Sequence, residues 1–237
     1  MQLFHIEIDK VRIKWNNIEI FSVPELVSQL RKVLRIKKWD KVFIQFSSNN
    51  QTTRYKISVV NRTDKDLYWE IISNQIFSFP TNHISMLVAM PNKWEKAELI
   101  VQKLTEIGVE NIYFWVSEHS IIRQWNDKKA CRLNKISHEA VEQSRWIQIP
   151  LIGFIELEND LKMLIEWKDV IIANHGWIPY WELKSITNNV CWVIGPEWWF
   201  SEKDLKIFNG AKIIDLWNNV LRMETASIIL GWILKNK

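Results

Sequence analysis

Apolar and polar residues alternate with a period of two along the first third of the chain. Segments of this kind, separated by polar turns such as that at residues 47–50, predict strands at residues 4–8, 41–46, 55–60 and 67–71. Residues 24–34 have helical spacing instead, with Ser22 as a candidate N-cap and Pro24 near the first turn. Short strands at these intervals predict a small β-barrel domain over residues 1–73.

From about residue 80 the pattern changes to alternating strands and helices. The spacing predicts helices at residues 93–107, 128–145, 201–208 and 222–234 and strands at residues 83–90, 111–116, 169–173, 190–194 and 212–216. Gly108 is suited to a helix C-terminus and Ser201 to a helix N-cap. Alternation of this kind predicts an α/β domain with a mainly parallel sheet over residues 74–237. Ligands bind at the carboxyl ends of such strands, which directs attention to the loops 195–200 and 217–220.

The contents of glycine and tryptophan are unusual. An average content would give about 17 glycines in a chain of this length, whereas the chain has 6 Gly and 15 Trp. The deficit in glycine is about as large as the excess of tryptophan.

Charge and motif content limit the class of function. The net charge of +4 permits a nucleic-acid partner without requiring one. The two cysteines, Cys131 and Cys191, are far apart, and the histidines form no HxxxH or HExxH pattern, so we expect no metal site and a reducing, cytoplasmic location. The first ten residues include charges and do not read as a signal peptide, and the apolar stretch at 226–234 is too short to span a membrane. Neither GxGxxG nor GxxxxGK[ST] is present.

Six ordered motifs are spread along the chain between residues 33 and 226. They are VLRIKKWD at 33–40, QKLTEIGV at 102–109, SEHS at 117–120, EAVEQSR at 139–145, GPEWWFS at 195–201 and LWNNVLRMETA at 216–226. In these motifs the chain resembles the RsmE family of SPOUT methyltransferases, which methylate N3 of a uridine in 16S ribosomal RNA. The resemblance implies a PUA-like β-barrel followed by an α/β SPOUT domain with a deep trefoil knot. It also implies S-adenosylmethionine as the methyl donor, a homodimer, and 16S rRNA or the small ribosomal subunit as partner.

The resemblance assigns candidate roles to particular residues. Arg222 would orient the uracil and stabilise its negative charge, and Glu197 would hold the donor loop or serve as the base, with loop holding preferred. Glu224 and Thr225 would brace the loop and the start of the helix. The donor would contact Asn174, Ile194, Gly195, Glu197, Trp198, Trp199, Leu216, Trp217, Val220 and Leu221. RNA contacts would come from Arg12, Lys14, Arg35, Lys93, Arg123, Arg132 and Arg145.

The departures from the family pattern have one feature in common. Trp39, Trp94, Trp198, Trp199 and Trp217 stand where the family has glycine, which lets the backbone approach a ligand or adopt a positive φ. One hypothesis is that many of these tryptophans are glycines of the natural protein, encoded by UGA in a lineage that reads this codon as glycine. The alternative is a divergent protein that has repacked around genuine tryptophans.

Two other functions stay open at this point. One is a related SPOUT enzyme that methylates a ribose 2′-oxygen or another base. The other is an RNA-binding protein whose donor site is blocked by genuine Trp198, Trp199 and Trp217.

Overall fold

The chain forms two compact units, Met1–Phe79 and Pro80–Lys237. The computed structural model describes residues 2–48, 51–63, 66–79, 83–183 and 189–235. The expected domain boundary after residue 73 falls inside a strand, Leu67–Ser78, that stays with the first unit.

The first unit is a six-stranded mixed sheet with the order β1-β4-β5-β6-β3-β2. Its strands are β1 (Leu3–His5), β2 (Val11–Lys14), β3 (Asn17–Ile20), β4 (Lys41–Ser48), β5 (Gln51–Arg62) and β6 (Leu67–Ser78). The β1–β4 pair is parallel and the other pairs are antiparallel. The β5–β6 pairing shifts register between Lys56 and Ile57 and again between Val59 and Asn61, and such bulges bend a sheet. The sheet encloses one apolar core that includes Ile18, Ile57 and Trp69, as the PUA-like prediction requires.

Local structure in the first unit corrects several predicted boundaries. The predicted strand at 4–8 ends at His5, because a 3₁₀ turn begins at Ile8. The hairpin β2–β3 was not predicted, although Val11–Lys14 and Asn17–Ile20 both alternate apolar and polar residues. The predicted polar turn at 47–50 begins too early, because Ser47 and Ser48 continue β4; residues 49 and 50 lie outside the described residues.

The predicted helix at 24–34 is also corrected. It is a short helix α1 (Pro24–Ser28) that continues as a π-helical turn over Gln29–Val33. Ser22 is not its N-cap: Val23 holds that position, and no side chain accepts a capping bond there.

The second unit is a six-stranded parallel sheet with helices, in the order β12-β10-β11-β7-β8-β9. Its strands are β7 (His83–Ala89), β8 (Asn111–Trp115), β9 (Leu151–Ile155), β10 (Asp169–Pro179), β11 (Asn189–Ile194) and β12 (Lys212–Asp215). Its helices are α2 (Trp94–Ile107), α3 (Asp127–Ser144), α4 (Glu158–Ile165), α5 (Glu202–Ile207) and α6 (Met223–Lys235). This confirms the predicted α/β class with a mainly parallel sheet.

The strands β7 and β11 are buried because most of their residues are apolar. Residues 86–90 and 190–194 are all buried in one core, as expected for parallel strands covered on both faces. Helix α2 packs against α3 and α6 and ends at Gly108, whose φ of 90° is left-handed. None of the helices in the described part of the chain is long and apolar enough to cross a membrane.

Two elements of the second unit were not predicted, and one strand is longer than expected. Strand β9 and helix α4 lie in a segment for which no element was predicted. Strand β10 was expected to end at residue 173. It continues to Pro179 after a register shift between Ala173 and Ile178 against β12, so Asn174 lies within this irregular part of the strand.

Candidate active site

A cavity of about 360 Å³ opens at the carboxyl ends of β10, β11 and β12. These three strands are neighbours in the sheet, so the loops that follow them converge at one edge. The volume falls within the range of small-molecule sites, about 300–1,000 Å³. The cavity is lined by Lys96, Ala173, Asn174, His175, Ile194, Gly195, Pro196, Glu197, Trp199, Phe200, Asp215, Leu216, Trp217, Asn219, Val220, Leu221, Arg222, Met223, Glu224 and Ala226.

The structure brings most of the expected donor-binding residues together. Those that line the cavity are Asn174, Ile194, Gly195, Glu197, Trp199, Leu216, Trp217, Val220 and Leu221, and Arg222 lines it too. Trp198 does not line it and is 72% exposed.

The loop after β11 is shaped by a close contact between Gly195 and Phe200. A Cβ at Gly195 would stand 2.4 Å from the Phe200 ring, so no larger residue fits without movement. Phe200 in turn stacks on the buried Trp115, with 6.3 Å between ring centroids. Gly195 is therefore needed for the backbone to close over Phe200 and form one wall of the cavity.

Ser201 and Asp204 fix the far end of this loop. Ser201 Oγ accepts a hydrogen bond from Asp204 N, and Asp204 Oδ2 accepts one from Ser201 N, which is a capping box at the start of α5. The buried Asp204 also accepts a bond from Glu118 N at 3.0 Å through Oδ1. A hydrogen bond from Ser201 lowers the pKa of the Glu118 carboxyl. These contacts join the SEHS segment after β8 to the end of the GPEWWFS loop.

Lys96 connects two carboxylates at the cavity. Its ammonium group contacts Glu197 Oε1 and lies 3.9 Å from Glu224 Oε2. Glu224 Oε2 is buried and has no hydrogen-bond partner among the described residues. Lys96 thus holds Glu197, on the loop after β11, beside the first turn of α6.

Asp215 organises the opposite side of the cavity. Its Oδ2 accepts a hydrogen bond from Gly176 N at 2.8 Å and lies 3.1 Å from His175 Nδ1, and its Oδ1 accepts from Trp217 N at 3.1 Å. One carboxylate therefore fixes both the bulged part of β10 and the loop after β12. In the described ranges of the chain, no group of three or more His, Cys, Asp and Glu residues could hold a metal ion.

Arg222 lies immediately before α6 with an exposed side chain at the cavity. Its backbone carbonyl accepts a hydrogen bond from Ala226 N at 2.8 Å, which anchors its main chain at the start of the helix. Within the part of the chain that the structure describes, no carboxylate forms an ion pair with its guanidinium group. The charge of Arg222 is therefore available to a ligand.

The tryptophans that replace family glycines are in unfavourable or exposed positions. Trp39 and Trp199 have φ values of 73° and 69°, a backbone region in which bulky residues are outliers. Trp199 and Trp217 line the cavity while remaining 50% and 54% exposed. Trp94, by contrast, packs half-buried against Trp125 at 5.9 Å between ring centroids.

The seven candidate RNA-binding residues are all exposed. Arg12, Lys14 and Arg35 belong to the first unit, and the other four, Lys93, Arg123, Arg132 and Arg145, belong to the second. Glu19 lies 3.9 Å from Arg12 and 3.6 Å from Lys14, and Arg132 pairs with Glu98 at 2.6 Å.

Three titratable residues of the cavity were not predicted from sequence: Lys96, His175 and Asp215. Lys96 is 101 positions from Glu197, and no motif joins them. His175 and Asp215 carry a usable signal, because each lies within two residues of the predicted carboxyl end of a strand that contributes to the site.

The comparisons with known proteins define the class of protein first. Residues 78–235 match a family model described as an RNA methyltransferase domain. The match covers more than half of the chain, and the chain therefore belongs to this family. No curated protein matches the sequence.

Solved structures then show what the whole chain is similar to. A ribosomal RNA small subunit methyltransferase E from Neisseria gonorrhoeae bound to S-adenosyl methionine is 17% identical, with a TM-score of 0.79 over 100% of this chain and 97% of that one. A protein from Porphyromonas gingivalis described as a probable rRNA-methyltransferase is 20% identical, with a TM-score of 0.77 over 100% of this chain and 98% of that one. The likeness confirms the predicted fold class, an α/β domain of the SPOUT methyltransferase type that follows a PUA-like unit in the sequence; the trefoil knot stays a prediction.

Proposed function

We propose that this protein methylates N3 of a uridine in 16S ribosomal RNA, with S-adenosylmethionine as methyl donor. The observation that supports the proposal is Arg222 at the cavity formed by the ends of β10, β11 and β12, with an exposed side chain that has no ion-pair partner among the described residues. The donor bound in the Neisseria structure and the rRNA named for that enzyme support the choice of donor and substrate.

The residues that form the walls of the cavity suit an adenosine-containing ligand. Ile194 and Leu216 are buried apolar residues at the strand ends, and Gly195, which has no side chain, brings its backbone to the cavity wall. S-adenosylmethionine, when bound, supplies the methyl group from its sulfonium. The protein's contribution to an in-line displacement is to hold the two reacting atoms in line, which can supply much of the reduction in barrier.

Arg222 would act on the acceptor base. Uridine N3 carries a proton at neutral pH, so the uracil becomes anionic before or during methyl transfer. A fixed guanidinium group next to the uracil oxygens stabilises this charge most strongly when it develops. The exposed side chain of Arg222, placed by the start of α6, is suited to this task.

Glu197 would hold the loop rather than serve as the base. Its carboxylate contacts the Lys96 ammonium group, and a carboxylate engaged in an ion pair is a poor proton acceptor. We assign Lys96 and Glu197 to keeping the loop after β11 against the start of α6.

The remaining assignments concern partners and location. We propose that the first unit supplies RNA contacts through Arg12, Lys14 and Arg35, that the chain acts as a cytoplasmic homodimer, and that its substrate is 16S rRNA or the small subunit that contains it.

The tryptophans at the cavity favour a second function. Trp199 and Trp217 place indole rings at the cavity, where they reduce the space for a donor. If both are genuine residues of the natural protein, an RNA-binding protein with an inactive site is the alternative.

Two measurements test the proposed function. Calorimetric titration with S-adenosylmethionine separates a donor-binding enzyme from an inactive binder. Mass spectrometry of 16S rRNA fragments, after incubation with protein and donor, separates methylation of uridine N3 from methylation of a ribose 2′-oxygen or of another base.

A further inference from the structure

The proposed reaction needs an acceptor for the N3 proton, and a histidine–aspartate pair lies at the cavity. His175 and Asp215 both line it, and His175 Nδ1 lies 3.1 Å from Asp215 Oδ2. The His175 side chain is partly exposed, whereas that of Asp215 is mostly buried. A partly exposed imidazole held by a mostly buried carboxylate is the arrangement that orients histidine bases in enzymes.

Asp215 is itself held in place by the backbone. The N–H groups of Gly176 and Trp217 donate to its two oxygens at 2.8 and 3.1 Å. Gly176 has a φ of 84°, a left-handed conformation that presents its N–H to the carboxylate. With these contacts in place, Asp215 cannot turn away from His175 without breaking two hydrogen bonds.

The nearby carboxylate favours one imidazole tautomer. Asp215 Oδ2, at 3.1 Å, attracts a proton to Nδ1, and a neutral ring with Nδ1–H has an unprotonated Nε2. Nε2 has no hydrogen-bond partner in the described ranges of the chain. A base that is oriented and unoccupied at a ligand cavity is suited to accept a proton from that ligand.

The other charged groups at the cavity are less suited to this role. Lys96 and Arg222 are cations, and Glu197 is paired with Lys96. Glu224 shares the same lysine at 3.9 Å. We propose that His175 is the general base for N3 of the uracil and that Asp215 is the residue that positions it. This inference rests on the proposed function.

The step balances as follows. The N3–H bond breaks and its proton passes to His175 Nε2, while the N3 electron pair forms the bond to the methyl carbon. The bond from that carbon to sulfur breaks and its electron pair stays on sulfur, which becomes a neutral thioether. The imidazolium ion, stabilised by Asp215, returns its proton to water.

The test compares His175→Gln with His119→Gln, an exposed histidine outside the cavity, in the full chain. Each substitution is introduced into two parents: the unaltered chain, and the variant with Trp198, Trp199 and Trp217 changed to glycine. We expect His175→Gln to lower the single-turnover methylation rate about 10²- to 10⁴-fold, while the calorimetric Kd for S-adenosylmethionine changes less than about threefold. We expect its residual rate to keep rising with pH, because only uracil that has already ionised then reacts. His119→Gln should match its parent.

Two further readouts separate a base from a residue that only supports the fold. Added imidazole should partly restore activity to His175→Ala. Nitrogen NMR of the imidazoles should show His175 as the Nδ1–H tautomer, and this preference should be lost in Asp215→Asn.

The results also separate this inference from the proposed function. An unchanged rate and pH profile in His175→Gln would overturn the role of His175 and leave the methyltransferase assignment standing. The same is true if Glu197→Gln, and not His175→Gln, changes the pH profile. If neither parent chain methylates 16S rRNA, the proposed function fails, and the role of His175 fails with it.

Discussion

Trp199 combines a large side chain with a left-handed backbone at the wall of the cavity. Its φ of 69° is a conformation that glycine adopts freely. For a bulky residue the strain is on the order of 1–3 kcal/mol. Trp39 has the same conflict at a φ of 73° in the first unit. Both are positions at which the family resemblance expects glycine, so the backbone supports the hypothesis that these tryptophans are glycines of the natural protein.

The first prediction concerns these tryptophans. Changing Trp198, Trp199 and Trp217 together to glycine should convert weak or absent binding of S-adenosylmethionine into tight binding, because it clears two indole rings from the cavity and relieves the strain at 199. Trp167→Gly is the control, since Trp167 is 81% exposed and does not line the cavity. Calorimetry makes the comparison. Tight binding by the unaltered chain, or TGG codons at these three positions, would show that the tryptophans are genuine.

The second prediction concerns Arg222. Arg222→Ala in a donor-binding chain should lower the methylation rate about 10²- to 10³-fold, because the side chain acts on charge that develops in the transition state. The Kd for the donor should stay within a few-fold of its parent. Arg222→Lys keeps the charge and should retain more activity than Arg222→Ala. A large loss of donor affinity with unchanged turnover would contradict this role.

At the scale of elements, the capping box at α5 joins two segments of the site. Ser201 caps the helix, and the hydrogen bond from Ser201 lowers the pKa of Glu118 on the segment after β8. A carboxyl group with a lowered pKa in the folded state stabilises the protein above the ordinary glutamate pKa, and this stabilisation is lost as the pH falls through the folded value.

The third prediction follows from the lowered pKa of Glu118. Ser201→Ala should lower the free energy of unfolding at neutral pH by about 0.5–2 kcal/mol, and Ser201→Gly by only a few tenths. The parent should lose stability more steeply than Ser201→Ala as the pH falls below the ordinary glutamate pKa. Urea denaturation at a series of pH values measures both effects. Parallel pH profiles for parent and variant would show that Ser201 does not affect Glu118.

The sequence predicts the elements whose patterns are strong and misses those set by tertiary contacts. Continuous apolar runs identify β7 and β11, and Gly108 and Ser201 identify two helix ends correctly. The extension of β10 beyond Ala173 depends on a bulge against β12, which no local pattern encodes. The same holds for the site: the motifs place Gly195 and Arg222, whereas the contacts of Lys96 with Glu197 and of His175 with Asp215 join residues distant in sequence.

At the scale of the whole molecule, candidate RNA-binding residues occur in both compact units, whereas the cavity lies wholly in the second. The fourth prediction is that a chain beginning at residue 80 binds donor like its parent and keeps the proposed dimeric state. Its affinity for 16S rRNA should fall, with a flatter dependence on salt, because fewer phosphate contacts release fewer counterions. Filter binding at several salt concentrations checks this. An unchanged salt slope would show that the first unit does not contribute phosphate contacts.

The central claim is methyl transfer to uridine N3 of 16S rRNA at the cavity beside Arg222. The most direct measurement is mass spectrometry of nuclease fragments of unmodified 16S rRNA, incubated with S-adenosylmethionine and either the printed chain or its Trp198, Trp199 and Trp217 to glycine variant. We expect one added methyl group on a single uridine base, at N3, with the glycine variant, and its loss when Arg222 is also changed to alanine. A methyl group on a ribose or another base, or no methylation by either chain, would contradict the account.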